Sequence, residues 1–353
     1  MNYNQRMREK FEALKTKKNM KILAFESSCD ETSVSVILDG RTILSNIVAS
    51  QIEIHTRFGG VVPEVASRNH ITAISNVTKQ ALEKANVKLE EIDAIAVTYG
   101  AGLLGALLVG VNFAKSLAFS LDIPIIAVSH IKGHIASNYL TYKELEPPFM
   151  CLMVSGGHTA IIKIDEYNKF ELVGSTIDDA GGEAFDKVAR VVGLGYPGGP
   201  KVDKMAKEGK ANIEFVHKGV LAGTFNFSFS GIKTAVINYV NNKKQKNEEI
   251  NVADVCASFQ KTVCDELVTK SISACKHYGY NKLVVAGGVS ANNHLKTMLT
   301  AECEKNNIEL YMPELALCTD NSAMIGCAGY YQLLDGQGLA GLDLTASSVV
   351  KIG

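Results

Sequence analysis

The chain has 353 residues, 46% hydrophobic and 21% charged, with 36 Lys and Arg against 37 Asp and Glu. That length exceeds what one hydrophobic core usually serves, and the composition excludes a disordered or fibrous chain. A net charge of −1 excludes a generic polyanion binder, so any contact with nucleic acid needs a local basic patch or a partner.

Residues 1–20 form a basic extension; through residue 21 there are seven Lys and Arg against two Glu. Met7, Phe11 and Leu14 have helical spacing, which reads as a solvated, partly helical arm or a contact for RNA or a partner. The fold proper starts at Lys21. Ile22–Phe25 reads as a buried strand, residues 26–32 as a polar turn, and Ser33–Ile37 as a second strand. Asp39-Gly40 turns the chain into a third strand near Thr42–Ala49. A loop from His55 leads to a helix over about Ser67–Ala85. Next come a strand (Ala94–Thr98), a glycine-broken helix (Leu103–Ser120), a strand (Ile123–Val128) and a helix holding His130 and His134. The order is βββαβαβα.

Pro147-Pro148 marks a boundary, and the pattern restarts. Met150–Val154 is a strand, Ser155-Gly-Gly-His158 a tight turn and Thr159–Lys163 a strand. A shift of 127 positions puts Ser28 on Ser155 and Thr32 on Thr159, an internal repeat. Helices are expected near Gly182–Val192, from Pro200, over Val252–His277, from Asn292 and from about Asn321. Strands are expected at Leu283–Ala286 and Glu309–Met312, and a polar loop at residues 241–249. Two βββαβα halves are the α/β architecture of the actin, sugar-kinase and heat-shock ATPase group. In that two-lobed fold the paired turns face an interdomain cleft. The expected lobes are 21–146 and 147–320, with the C-terminal helix near 321–345 packing back on the first.

Eight cysteines are scattered with no C-x-x-C pair, which points to a reducing compartment without disulfides. The longest apolar run, Ala101–Phe119, is broken by three glycines, Asn112 and Lys115, so no membrane span is expected. No apolar core follows the basic N-terminus, so no signal peptide is expected either. A cytoplasmic location and no membrane partner follow.

Several constellations carry chemistry. His130 and His134, four apart, lie on one helical face and can converge on a metal, or serve as ordinary core or surface residues. Asp320 sits at a helix start, where capping is the default; it is also the best hard ligand to complete a two-His, one-carboxylate set. In Met153-Val154-Ser155-Gly156-Gly157-His-Thr159, paired glycines let backbone N–H groups approach an anion, and the hydroxyls add donors; the alternative is a plain hairpin. Ala286-Gly-Gly-Val-Ser-Ala-Asn292 ends a strand and opens a helix, suiting a phosphate or purine edge, or is a simple turn. Glu183 and Asp186 share a helical face; Gly199 and Asp203 belong to the next rigid turn. Asp30 and Glu31 in the first turn can coordinate metal, position an amine, or brace the loop. Cys29 beside them has no adjacent histidine and is not expected to be a nucleophile.

Taken in order, ESSCDETSVSV, HTRFGGVVPEVASRNH, HIKGH, MVSGGHT, DDAGGEAFDKVA, YPGGP, FSFSGIKTAV, AGGVSAN and CTDNSAMIG resemble the motifs of the universal tRNA threonylcarbamoyladenosine transferase family in its bacterial form. The resemblance runs from about Lys21 to Asp343. It implies transfer of a threonylcarbamoyl group from threonylcarbamoyl-AMP to the exocyclic N6 amine of the adenosine 3′ of the anticodon, in tRNAs reading A-starting codons. It implies one divalent metal ion, Fe2+ or Zn2+, on His130, His134 and Asp320. It puts substrate contacts on Met153 to Gly157, Asp186, Gly199, Asp203 and Asn292. It also implies the tRNA anticodon loop, a paralogue of the same fold and a small P-loop ATPase as partners. Asp30 and Glu31 are candidates for orienting the attacking amine. A metalloendopeptidase is the main competing class, yet Ile131 stands where the H-E-x-x-H motif needs its general base. A small-molecule kinase or ATPase of this fold and a non-catalytic scaffold compete with it as well.

Overall fold

The structure, a computed structural model, describes residues 3–215, 221 and 223–352. In chain order the elements are α1 Tyr3–Leu14, β1 Lys21–Glu26, β2 Glu31–Leu38, β3 Thr42–Ser50, α2 Ile52–Thr56, α3 Pro63–Ala85, β4 Ala94–Gly100, α4 Leu104–Leu121, β5 Ile125–Ser129 and α5 His130–Thr141. The second series is β6 Phe149–Val154, β7 Thr159–Glu166, β8 Lys169–Ser175, α6 Gly181–Val191, α7 Gly198–Ala206, α8 Ser230–Gln245, α9 Val252–Tyr278, β9 Lys282–Ala286, α10 Asn293–Lys305 and β10 Glu309–Tyr311. The chain ends with α11 Leu315–Cys318, α12 Ser322–Leu334 and β11 Leu339–Ala340. They form two compact units. One holds residues up to Glu146 together with Pro313–Ile352; the other holds Pro147–Met312.

The first unit is built on a six-stranded sheet in the order β11-β5-β4-β1-β2-β3. β1 pairs antiparallel with β2, from Lys21↔Leu38 to Glu26↔Ser33, and parallel with β4. β1 is apolar from Ile22 to Phe25, as a strand covered on both faces must be. Helix α4 has the length and apolarity of a membrane span. Here its Ala106, Leu107, Val111, Ala114 and Ala118 are buried, and that face packs on β4 and α3.

Two expectations change in this unit. Residues 313–320, expected with the second half, belong to the first. The reason is α12: ten of its thirteen residues are buried, against α5, β1 and β2. That helix ends at Leu334, earlier than expected, because Asp335-Gly-Gln-Gly338 follows. The apolar face of the basic N-terminal arm is also not solvated. Met7, Phe11 and Leu14 of α1 are buried, and Arg6 and Lys10 clamp Asp122 at 3.0 and 2.7 Å. An apolar stripe at that spacing lowers its free energy by burial, while the cations stay at the surface.

The second unit repeats the plan in a five-stranded sheet, β10-β9-β6-β7-β8. β6 pairs antiparallel with β7, closing at Val154↔Thr159, and parallel with β9. These pairings mirror β1 with β2 and β4, so the 127-residue shift is structural. The third strand, β8, and the helix α8 carried no clear pattern. β8 is an edge strand with most residues exposed or half-buried. α8 buries Ile232, Val236 and Val240, every fourth residue, and runs through residues 241–245, where a polar loop was expected; its last turns are exposed. All eight cysteines are free, and seven are buried.

Candidate metal centre and glycine turns

His130 and His134 occupy the first turns of α5, directly after β5. Their rings lie 4.5 Å apart at 83°. Asp320 reaches them from the segment before α12: its Oδ1 is 3.1 Å from His134 Nε2 and 3.5 Å from His130 Nε2. One ligand atom from each of the three falls within 4.8 Å of the others. Asp320 is not the helix cap. Asn321 is, its Oδ1 accepting Met324 N–H at 3.2 Å, which leaves the Asp320 carboxylate to the histidines.

The electrostatics are those of a charge-compensated, largely buried cluster. Burial opposes a charge on His130, but Asp320 and Glu26 outweigh it and push its pKa up to about 9. Burial likewise opposes the Asp320 carboxylate, and the His130 cation with His134 pulls it well below its ordinary range. Burial and then the His130 charge push His134 down, so it is the neutral member of the pair. His134 Nε2 is close to Asp320 but not aligned for a hydrogen bond. Both ring nitrogens are buried with no hydrogen-bond partner among the described residues. Such orphaned nitrogens are costly unless a ligand takes them. Two imidazoles and one carboxylate suit a divalent transition ion, and His130, His134 and Asp320 fit one.

Sequence reasoning put Glu26 in a polar turn. It is instead the last residue of β1, 1% exposed, with Oε2 3.0 Å from His130 Nδ1. A carboxylate ending an otherwise apolar strand was the available signal. Glu31 accepts Ser50 Oγ–H at 2.9 Å, and burial pushes its carboxyl up to about 8, so it is protonated at neutral pH. Asp30 is buried beside it. Burial and then Asp30 push the Cys29 thiol up, which removes it as a neutral-pH nucleophile. His70 braces this turn: its Nδ1 lies 2.7 Å from Thr32 Oγ1 and its Nε2 2.9 Å from the Cys29 carbonyl.

In the second unit the glycine turns converge around the end of β6. Ser155 closes its turn through N–H to the His158 carbonyl (2.8 Å), and Ser155 Oγ accepts His158 N–H (3.1 Å). Gly156 and Gly157 are exposed, and a Cβ on either would meet nothing within 4 Å. Their backbone is therefore open to an anion. Met153 and Val154 are fully buried and can offer only backbone groups. The N-terminus of α6 is seated on this turn: Gly181 N–H donates to Thr159 Oγ1 (2.9 Å) and Gly182 N–H to the Ser155 carbonyl (3.1 Å). Gly287 presses on the same place with φ +92°, and a Cβ there would lie 2.5 Å from the Val154 carbonyl oxygen.

Asp186 accepts Gly198 N–H at 2.7 Å, fixing the start of α7, where Gly199 is open. Asp203 Oδ2 accepts Asn293 Nδ2–H at 2.6 Å; its Oδ1 is buried and unpartnered among the described residues. Asn292 has both ends of its side chain engaged, capping α10 at Leu295 N–H (2.9 Å) and donating to Gln260 Oε1 (2.9 Å). Glu183 faces outward in a 2.8 Å pair with Lys187. Asp178 holds the start of α8 through Phe229 N–H (2.8 Å) and Ser230 N–H (3.2 Å).

Comparison with known proteins gives this geometry a context. Residues 42–327 match the family model described as TsaD: tRNA N6-adenosine threonylcarbamoyltransferase. A protein of that name from Clostridium botulinum (strain 657 / Type Ba4) is 56% identical over 338 residues, 96% of this chain and 99% of the relative. One from Clostridium perfringens (strain 13 / Type A) is 56% identical over 333 residues, 94% and 98%. Among solved structures, T. kodakarensis HypF aligns at TM-score 0.60 and 14% identity, over 91% of this chain and 48% of that one. Component A of the Acidaminococcus fermentans (R)-2-hydroxyglutaryl-CoA dehydratase aligns at 0.51 and 14%, over 90% and 99%. These two structural likenesses bear on the fold alone. It is that of the actin, sugar-kinase and heat-shock ATPase group.

Proposed function

The chain belongs to the family of tRNA N6-adenosine threonylcarbamoyltransferases, and on that premise we propose how its own residues carry the reaction. It is a transferase acting on tRNA, which sets aside the peptidase, kinase and scaffold readings. The donor is threonylcarbamoyl-AMP, and the acceptor is the N6 amine of the adenosine 3′ of the anticodon in tRNAs reading A-starting codons. In the transfer, the amine nitrogen bonds to the carbamoyl carbon, the bond from that carbon to the phosphate oxygen breaks, AMP leaves, and the amine loses a proton.

The metal group carries this reading, because two buried imidazoles converge on the Asp320 carboxylate and both nitrogens of His134 lack a hydrogen-bond partner among the described residues. His130, His134 and Asp320 would hold Fe2+ or Zn2+, which would supply Lewis acidity when bound. The N–H groups of Gly156 and Gly157 receive the departing phosphate, since nothing shields them. Asp203, with one unpartnered oxygen, accepts from the ribose or adenine. Asn292 acts by holding the start of α10, because both its polar ends are spent. Asp186 similarly sets Gly199. Glu31, protonated at neutral pH, orients the acceptor through its hydroxyl and carbonyl, with Asp30 beside it. The acceptor adenosine lies in a single-stranded loop, so its amine is reachable without duplex opening. A net charge of −1 favours help from partner proteins in holding tRNA. A paralogue of this fold and a small P-loop ATPase in the cytoplasm fill that role.

The test supplies the purified protein, both partners, Fe2+ or Zn2+ and synthetic threonylcarbamoyl-AMP to unmodified tRNA. Nucleoside mass spectrometry reads the product. The modified adenosine should form with the native chain and fall at least about a hundredfold with His134→Ala. Equal yields from the two proteins would overturn the metal-dependent mechanism.

A further inference from the structure

We propose that Glu26 is the positioning residue of the metal centre, fixing the ring orientation and tautomer of His130. The proposal rests on the metal reading above and extends it to a residue outside the ligand set. Glu26 ends β1, and the parallel pairing of β1 with β4 places Thr98 alongside it. Both carboxylate oxygens are held by fixed donors. Oε1 accepts Ser28 N–H at 2.5 Å, and Oε2 accepts Thr98 Oγ–H at 2.7 Å as well as facing His130 Nδ1 at 3.0 Å. Thr98 and Glu26 are at most 1% exposed, so no water competes for these bonds.

The chemistry of the pair decides which nitrogen carries the proton. An ionised carboxylate only accepts hydrogen bonds, so His130 must present Nδ1–H to it. The neutral ring then carries its lone pair on Nε2, the nitrogen that faces Asp320 at 3.5 Å. Ser28 Oγ also lies 3.1 Å from Nδ1, but a hydroxyl both donates and accepts and so selects no tautomer. Glu26 alone imposes one. A carboxylate behind a ligating histidine also raises its basicity and restrains its ring, and losing such a partner typically costs roughly tenfold to hundredfold in metal affinity. His134 has no equivalent, since its Nδ1 is partnerless among the described residues. The anchoring is therefore asymmetric, with His130 fixed from behind and His134 placed by the helix alone.

Metal-stripped full-length protein, titrated with Co2+ and with Zn2+ against a chromophoric chelator, tests this. Glu26→Gln should bind both ions roughly tenfold to hundredfold more weakly. It should also shift the visible absorption of the Co2+ form, a signature that loss of stability alone does not move. Binding within about twofold of native, with an unchanged spectrum, would overturn the assignment. His134→Ala separates the two claims. If the native chain takes up no ion, or His134→Ala matches it, the metal reading itself fails. If native binds, His134→Ala does not, and Glu26→Gln binds like native, only the role of Glu26 fails. Should Glu26→Gln not fold, nitrogen-15 histidine spectra of the zinc-loaded native protein still decide. The His130 ring should show a proton on Nδ1; a proton on Nε2 with zinc on Nδ1 would sink the proposal.

Discussion

At the scale of single residues, neighbouring acids in one motif do unlike work. Asp178 and Asp179 are adjacent, yet Asp178 receives backbone N–H groups at the start of α8 while Asp179 pairs with Lys187 at 2.8 Å and Lys233 at 2.6 Å. Burial opposes the Asp179 charge, but the two lysines and Ser230 outweigh it and hold the carboxyl down to about 2. A carboxyl depressed in the folded state stabilises above its unfolded pKa and loses that contribution as pH falls through the folded one. Asp179→Asn should therefore cost on the order of 1–2 kcal/mol at pH 7, with the gap from native closing between about pH 4 and pH 2. Urea unfolding at pH 7, 4 and 2.5 reads it; a gap independent of pH would refute the ion-pair account. The histidine pair and Asp320 were legible because ligand chemistry restricts residue type and helical period restricts spacing. Glu26 was not. Its role depends on β1 and α5 meeting 104 positions apart, and one polar letter after an apolar strand looks like the start of a turn.

Whole elements were legible where one face is buried and the period is clear. The βββ opening of the first half, the first two strands of the second, α3, α9 and the histidine helix follow from apolar spacing and turn residues. β8, at a sheet edge with little burial, and α8, whose only apolar signal is every fourth residue, did not stand out. α1 marks a different limit. Its Met7, Phe11 and Leu14 stripe predicted a helical face, but nothing local says that a face is occupied. Phe11 is 1% exposed, so Phe11→Ala should destabilise the protein by about 3–5 kcal/mol, as a buried aromatic does. An arm that were merely solvated would lose almost nothing. Thermal melting of the variant beside Arg8→Ala, at an exposed position of the same helix, separates the two cases.

At the scale of the whole molecule, the duplication was readable from two shifted turns, but chain order hid how the first unit is completed. Its sheet and its candidate metal group both draw on residues 313–352: β11 pairs with β5 at Leu339↔Ile126, α12 covers β1 and β2, and Asp320 comes from the segment between α11 and α12. Gly326 lies so close to this sheet that a Cβ would meet Ile37 at 2.6 Å and Ala24 at 3.2 Å. A chain ended after Met312 would uncover that apolar face and lose the carboxylate ligand together. It should take up no Fe2+ or Zn2+, and proteolysis should cut within residues 21–146 while sparing residues 223–312. The second unit has its own sheet and its own core, from Met150 to Met312, so it does not depend on the missing segment. Mass spectrometry of the fragments, with metal analysis of the purified chain, reads both outcomes. Metal uptake by the shortened chain would show that the first unit closes, and holds its ion, without Asp320.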